Sequence, residues 1–343
     1  MSRHRILNAL TAAVVLTAMT VALAACGGGS ESAKSGESPR AVLDEATLRG
    51  IDSADVELTL KADAPGREGG NLDVSLSGPF QGEGKSELPQ LDMTFEAKGT
   101  VEGEPVDSEG GVVVLPNSAY VNYDGTEYEV DPATFGFFES ALQEAQREGG
   151  SEAGSAGGGC QEELGKLKVG EFLEGGVVNE GSADVEGTTT TKISGDLDVA
   201  TAIDSLLEVA ESPACETQVA AAGPLPSNSE IDEAKEEVKR SLESADVDVY
   251  VGDDNIVRQV SARLQIEPKN GGEGPKSAEV SFDLKLKGVN EEQEFSAPED
   301  AEPLSKLFAK LGINPIELFA TLQGEGEGLN ELLEQLDLPG SVG

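Results

Sequence analysis

A period of two in the distribution of apolar residues constrains the fold of this chain more than any other feature. Between residues 54 and 62 every second residue is Ala, Val or Leu, while Asp, Glu, Thr and Lys occupy the positions between them. The same period recurs in five further segments, at 72–76, 91–97, 247–251, 260–266 and 280–286. This pattern is typical of antiparallel strands with one buried and one solvated face. Gly and Pro predict turns at 65–70, 78–90 and 103–105.

Helical segments are predicted between and after the strands, and their apolar sides can cover the buried face of a sheet. Pro39 begins the first helix, which Gly50 closes, and Asp131 caps another. A strand is predicted at 188–199, followed by a helix around residues 203–210 and another from Ser229 to about Leu242. The chain ends in three amphipathic helices whose apolar positions are Leu304, Leu307, Phe308 and Leu311, then Ile316, Phe319 and Leu322, then Leu329, Leu332, Leu333 and Leu336.

The N-terminus has the pattern of a secretion signal. Arg3 and Arg5 precede an apolar stretch at residues 6–21, and Leu23-Ala24-Ala25-Cys26 follows. Small residues ending in Cys behind an apolar run resemble the lipobox of bacterial lipoproteins, in which the Cys receives diacylglycerol and becomes the first residue. We therefore expect cleavage before Cys26 and a lipid anchor on its sulfur. The alternative is an uncleaved N-terminal anchor helix, and both interpretations place the body outside the cytoplasm.

The net charge argues against nucleic acid as a partner. Without residues 1–25 the chain has 22 basic residues against 65 acidic ones, a net charge of −43. Such a surface repels phosphate backbones and anionic lipid headgroups. Two interpretations of the acidity stay open: a solvated surface that keeps the domain soluble, or an adaptation to salt or to cations.

The single histidine, His4, lies in the leader, so the mature chain has no imidazole. This excludes Ser-His-Asp and Cys-His catalysis as well as His-ligated zinc. We predict that the protein is not an enzyme and has no cofactor and no metal. Cys160 and Cys215 are the two remaining cysteines, and outside the cytoplasm a disulfide between them is the simplest interpretation. Free or metal-binding thiolates are the alternative, but supporting ligands are lacking.

Three segments, in their order behind the lipobox, resemble a known family. Residues 185–199 fit the pattern V-x-G-x-x-T-x-x-I-x-G-x-x-D, and residues 247–258 fit V-x-V-aromatic-V-x-D-x-x-x-V-R. The third is the hairpin at residues 120–132. Together they resemble the LppX/LprG-type lipoproteins of actinobacteria and, more broadly, the LolA-like group. Departures from the pattern are Tyr250 where Trp is common, the long acidic and Gly-rich inserts, and the helices after residue 300.

The resemblance implies an α+β fold with a strongly curved antiparallel β half-barrel, helices over its concave face, and additional C-terminal helices. We accordingly divide the chain into a lipoprotein signal peptide (1–25), a flexible Gly/Ser tether (26–38), a LolA-like half-barrel domain (39–298) and a C-terminal helical segment (299–343). That last segment could cover a cavity, pack as ordinary core or bind a partner protein.

The resemblance also implies a lipid or glycolipid carried in an apolar cavity between sheet and helices. The expected location is the extracytoplasmic side of the cell membrane, with Cys26 as the point of attachment. The alternative is a structural or protein-interaction lipoprotein with a filled core and no ligand. The candidate cavity-lining residues are apolar strand positions: Val56, Leu58, Val74, Leu76, Phe95, Val249, Leu264 and Phe282.

Overall fold

The computed structural model describes residues 37–65, 70–82, 88–101, 103–136, 140, 169–213, 215, 229, 231, 235–236, 240–267 and 277–312. Three helices with both ends in this part are α1 (Pro39–Glu45), α2 (Val199–Ala210) and α3 (Leu304–Leu311). Its strands are β1 (Ser53–Ala64), β2 (Gly70–Gln81), β3 (Gln90–Val101), β4 (Glu104–Leu115), β5 (Ser118–Tyr123), β6 (Thr126–Glu129), β7 (Leu173–Val185), β8 (Thr188–Leu197), β9 (Leu242–Gly252), β10 (Val257–Ile266), β11 (Ala278–Lys287) and β12 (Glu302–Pro303). Residues 132–136 are helical and 169–172 form a 3₁₀ turn.

All twelve strands belong to one sheet, in the order β12-β6-β5-β4-β3-β2-β1-β11-β10-β9-β8-β7. Neighbours are antiparallel, apart from the two-residue β12, which is parallel to β6. The sheet is curved and does not close into a barrel. The predicted α+β half-barrel is therefore confirmed.

Two glycines allow neighbouring strands to approach closely. Gly78 in β2 and Gly99 in β3 have φ angles of +139° and +154°. A Cβ atom on Gly78 would lie 1.8 Å from the carbonyl oxygen of Asp92, and one on Gly99 would lie 2.1 Å from that of Asn71. Glycine inside a strand often marks a place where another backbone approaches closely. The turn predicted at 78–90 was therefore wrong at its start, because β2 continues through Gly78 to Gln81.

The first helix is shorter than predicted and ends at Glu45 rather than Gly50. Ala46 is extended, and Thr47 pairs with the turn between β9 and β10. The Thr47 amide donates to the Asn255 carbonyl oxygen, and the Val257 amide donates to the Thr47 carbonyl oxygen, both at 2.9 Å. These two hydrogen bonds replace the next helical turn and attach the N-terminal segment to the sheet.

Other element limits follow from capping and pairing. The strand predicted at 188–199 ends at Leu197, because the Asp198 side chain caps α2 by accepting from the Thr201 amide at 3.0 Å. β4 begins at Glu104, inside the turn predicted at 103–105, because its pairing with β3 extends over both strands. The predicted helix from Ser229 ends before Leu242, where β9 begins. The helices predicted after Gly312 lie outside the described residues.

The helices α1 and α3 lie over different parts of one face of the sheet. Val42 and Leu43 of α1 pack against apolar residues of β8 and β9. Leu304 and Leu307 of α3 pack against Tyr128 of β6. The predicted apolar positions of α3 are therefore part of the packed interior.

Candidate ligand-binding face

The even-numbered residues of β1 and the residues paired with them across the sheet form what we call the apolar face. Its central row runs across seven strands in register. The row consists of Phe95, Leu76, Leu58, Leu284, Val260, Val249 and Ile193. Because side chains alternate between the faces of a strand, one register aligns apolar side chains from strands far apart in sequence.

All eight predicted lining residues lie on this face. Four of them belong to the central row, and Val74 and Phe282 flank Leu60 in the next row. Leu264 and Val56 lie in rows further along the strands. The alternation therefore placed these residues on one face, although it did not identify their neighbours across the sheet.

One part of the apolar face is a packed core. Val249 and Ile193 are completely buried and lie in the cluster that includes Val42 and Leu43 of α1. Completely buried side chains that pack against a helix in this way form an ordinary protein interior.

The middle of the face keeps accessible surface. Leu76, Phe95 and Phe282 are half-buried, whereas Leu58 beside them is buried. Leu264, further along β10, is also half-buried. A cluster in this region consists of strand residues alone: Leu60, Val74 and Ala97, with Leu72, Phe95, Val106, Val280 and Phe282 packed around them. Half-buried apolar side chains that adjoin a buried row can gain further burial against a ligand.

The opposite, outer face of the sheet is polar and joined by ion pairs. Lys287 of β11 pairs with Glu57 of β1, and this hydrogen bond raises the pKa of the lysine. Lys285 lies 3.4 Å from Glu186 and 3.9 Å from Glu57. Ion pairs that stay partly exposed to solvent contribute little to stability, about 0–1 kcal/mol each. Their effect is to keep this face hydrated.

A pocket of about 180 Å³ also opens on the outer face, between β3 and β6. Asp92, Asn122 and Glu127 line it, and Asn122 Nδ2 donates to Glu127 Oε1 at 2.6 Å. Burial, together with the charge of Glu127, raises the pKa of the Asp92 carboxyl. The pocket is below the roughly 300 Å³ typical of small-molecule sites and is lined by carboxylates, which do not suit a lipid chain. The sequence pattern gave no signal for it beyond outward-facing polar positions.

The cysteines are only partly within the described structure. Cys215 is completely buried and disulfide-bonded. Cys26 and Cys160 lie outside the described residues, so lipid attachment and the Cys160–Cys215 pairing stay predictions. Within the described ranges, His, Cys, Asp and Glu form no group of three or more that could hold a metal. Over those same ranges, no helix combines the length and the apolar character needed to cross a bilayer.

Solved structures with a similar architecture include two mycobacterial proteins. LprF from Mycobacterium bovis has 13% identity and a TM-score of 0.34, and the match covers 79% of this chain and all of that one. The lipoprotein LppX from Mycobacterium tuberculosis has 11% identity and a TM-score of 0.30, over 86% of this chain and all of that one.

A LolA-superfamily protein from Nitrosomonas europaea has 7% identity and a TM-score of 0.18, over 77% of this chain and 96% of that one. No family model and no curated protein matches the chain.

Proposed function

We propose that this protein is a lipid-anchored extracytoplasmic lipoprotein that binds a lipid or glycolipid against its apolar face and performs no catalysis. The observation that carries the proposal is the half-buried middle of that face. Leu76, Phe95 and Phe282 adjoin a buried row yet keep accessible apolar surface. Contiguous apolar side chains that keep accessible surface on a folded protein can mark a binding site.

An acyl chain is a ligand of suitable chemistry for this face. Burial of each methylene is worth about 0.8 kcal/mol, so about ten methylenes supply roughly 8 kcal/mol. That corresponds to a dissociation constant of about 1 μM before the cost of ordering the chain is subtracted. On the outer face, Lys285 and Lys287 both pair with Glu57, so this described part of the face presents charged rather than apolar groups.

The sequence supports membrane attachment through Cys26. Lipid on this residue would hold the body near the bilayer, while the net charge of −43 would keep it from adhering to anionic headgroups. The substitution Cys26→Ser should move the protein from the membrane fraction to the soluble fraction of the producing cells. Continued sedimentation with the membranes would contradict lipid attachment at this residue.

Lipid binding is tested on the mature chain, residues 26–343, carrying Cys26→Ser so that covalently attached lipid is not counted. The protein is purified from a lipid-rich host without detergent, and the extracted lipids are quantified by mass spectrometry. We expect close to one lipid per chain. Lipid-free protein would favour the alternative, a structural or protein-interaction lipoprotein with a filled core.

A further inference from the structure

The two ends of the apolar face differ. We call the end where β1 begins and β2 finishes the sealed end, and the end where β1 finishes and β2 begins the half-open end. Ala54, Phe80 and Leu286 at the sealed end are 0%, 6% and 4% exposed. Residues of the same strands at the half-open end, Ala62 and Leu72, are only half-buried.

The sealed end is closed by residues of the connecting loops. Ile51, from the loop before β1, and Ile256, from the turn before β10, are both buried in the cluster that contains Ala54 and Phe80. Val289, just after β11, packs against the same cluster. Apolar loop residues thus fill the space beyond the last row of the sheet.

Hydrogen bonds fix the loops of the sealed end to one another. Asn290 Oδ1 accepts from the Asp52 amide at 2.6 Å, and Asn290 Nδ2 donates to the Gly50 carbonyl oxygen at 2.8 Å. The Asn290 amide donates to the Ser53 carbonyl oxygen at 2.8 Å. The Gln293 amide donates to Gln81 Oε1 at 2.9 Å. These bonds join the loop before β1 and the end of β2 to the segment after β11, so hydrogen bonds as well as apolar packing hold the sealed end together.

The half-open end has a different character. Leu264 and Ile266 at the end of β10, and Val280 near the start of β11, are half-buried, like Ala62 and Leu72 on the neighbouring strands. These residues continue the apolar face to the limit of the sheet. The apolar surface is therefore more accessible here than at the sealed end.

The attachment of the N-terminal segment lets the half-open end reach the bilayer. The Glu37 carbonyl oxygen accepts from Asn179 Nδ2 at 3.3 Å, halfway along the edge strand β7. Half of that strand spans about 21 Å. Residues 26–36 could extend over about 36–40 Å. The chain between Cys26 and the body is thus long enough for the half-open end to meet the membrane that would hold the anchor.

We propose that the acyl chain of a membrane lipid enters the apolar face through the half-open end, methyl group first. Its headgroup stays near the ends of β1 and β10, and the sealed end stops the chain. This inference rests on the proposed function, and it adds an orientation to the bound lipid and identifies the surface that faces the donor bilayer.

The absence of tryptophan from the chain makes a direct test practicable. Two single-tryptophan variants are made in the mature chain carrying Cys26→Ser: Leu72→Trp at the half-open end and Leu91→Trp at the sealed end. Both leucines are half-buried on the apolar face. Leu91 of β3 lies opposite Phe80, and Phe80 is eight residues from Leu72 along β2. That separation is about 27 Å. Leu264→Trp is a second reporter for the half-open end if Leu72→Trp does not fold.

Each variant is mixed with uncharged phosphatidylcholine vesicles whose acyl chains are brominated either near the carboxyl group or near the methyl end, and then separated from them. We expect bromine near the carboxyl group to quench the tryptophan fluorescence of Leu72→Trp more than that of Leu91→Trp. Bromine near the methyl end should quench Leu91→Trp more strongly than bromine near the carboxyl group does. Equal or reversed quenching would overturn the orientation while leaving lipid binding in place. Absence of quenching in all reporters would overturn both the proposed function and this inference.

Discussion

Replacing Gly78 by alanine tests whether the close approach of β2 and β3 requires glycine at this position. The added Cβ would lie 1.8 Å from the Asp92 carbonyl oxygen, and the φ angle of +139° disfavours any L side chain. Backbone strain of this kind costs about 1–3 kcal/mol. Moving β3 away from β2 would also break about two backbone hydrogen bonds, each worth about 1 kcal/mol. We therefore expect Gly78→Ala to lower the free energy of unfolding by about 3–5 kcal/mol.

Two other glycines provide matched controls for equilibrium denaturation in urea. Gly103 has a φ angle of +86° but no atom within 4 Å of the added Cβ, so Gly103→Ala should cost only the strain, about 1–2 kcal/mol. Gly136 is helical with open space around it, and Gly136→Ala should be neutral or stabilising by up to about 1 kcal/mol. If Gly78→Ala lost no more stability than Gly103→Ala, close contact between β2 and β3 would not be what requires glycine there.

Three further predictions concern the outer face, α3 and the cysteines. Burial raises the pKa of the Asp92 carboxyl, so its charged form opposes folding. Asp92→Asn should therefore increase the free energy of unfolding at neutral pH, as measured by urea titration. This increase should disappear below about pH 4, where the carboxyl is protonated in both the folded and the unfolded chain. A pH-independent gain would contradict this cause. Leu307→Ala should lower the free energy of unfolding by about 2–5 kcal/mol, because Leu307 is buried against Tyr128. Ser305→Ala, on the exposed side of α3, should change it little. Equal thermal midpoints for the two variants would show that α3 is not part of the core. Thiol labelling of the denatured, unreduced chain carrying Cys26→Ser should find no free thiol, and two reactive thiols would exclude the Cys160–Cys215 disulfide.

The strands and their buried face could be predicted because the alternation of apolar and polar residues within each strand shows which of its residues face the core. Val56, Leu76 and Phe95 are far apart in sequence, yet alternation alone assigns them to one face. Strand order could not be obtained in this way. The pairing of β1 with β11, for example, depends on contacts between residues more than two hundred positions apart.

Structural features that depend on single residues or on loops could not be predicted, because no periodic sequence pattern accompanies them. Gly78 was assigned to a turn, because a glycine beside a proline usually ends a strand, whereas here it permits a close approach inside one. Ile256 and Val289 are isolated apolar residues in loops, so their part in sealing one end of the face appears only once the sheet brings the loops together. The outer pocket likewise depends on the register of β3 with β4, β5 and β6.

The amount of bound lipid in two neighbouring variants tests the central proposal most directly. Phe95 and Thr94 are adjacent in β3 but point to opposite faces, the first to the apolar face and the second to solvent. Both are replaced by glutamine in the mature chain carrying Cys26→Ser, folding is checked by thermal unfolding, and lipid per chain is measured by mass spectrometry. We predict close to one lipid per chain for Thr94→Gln and a several-fold loss for a folded Phe95→Gln. Equal lipid content in the two variants would contradict binding at the apolar face.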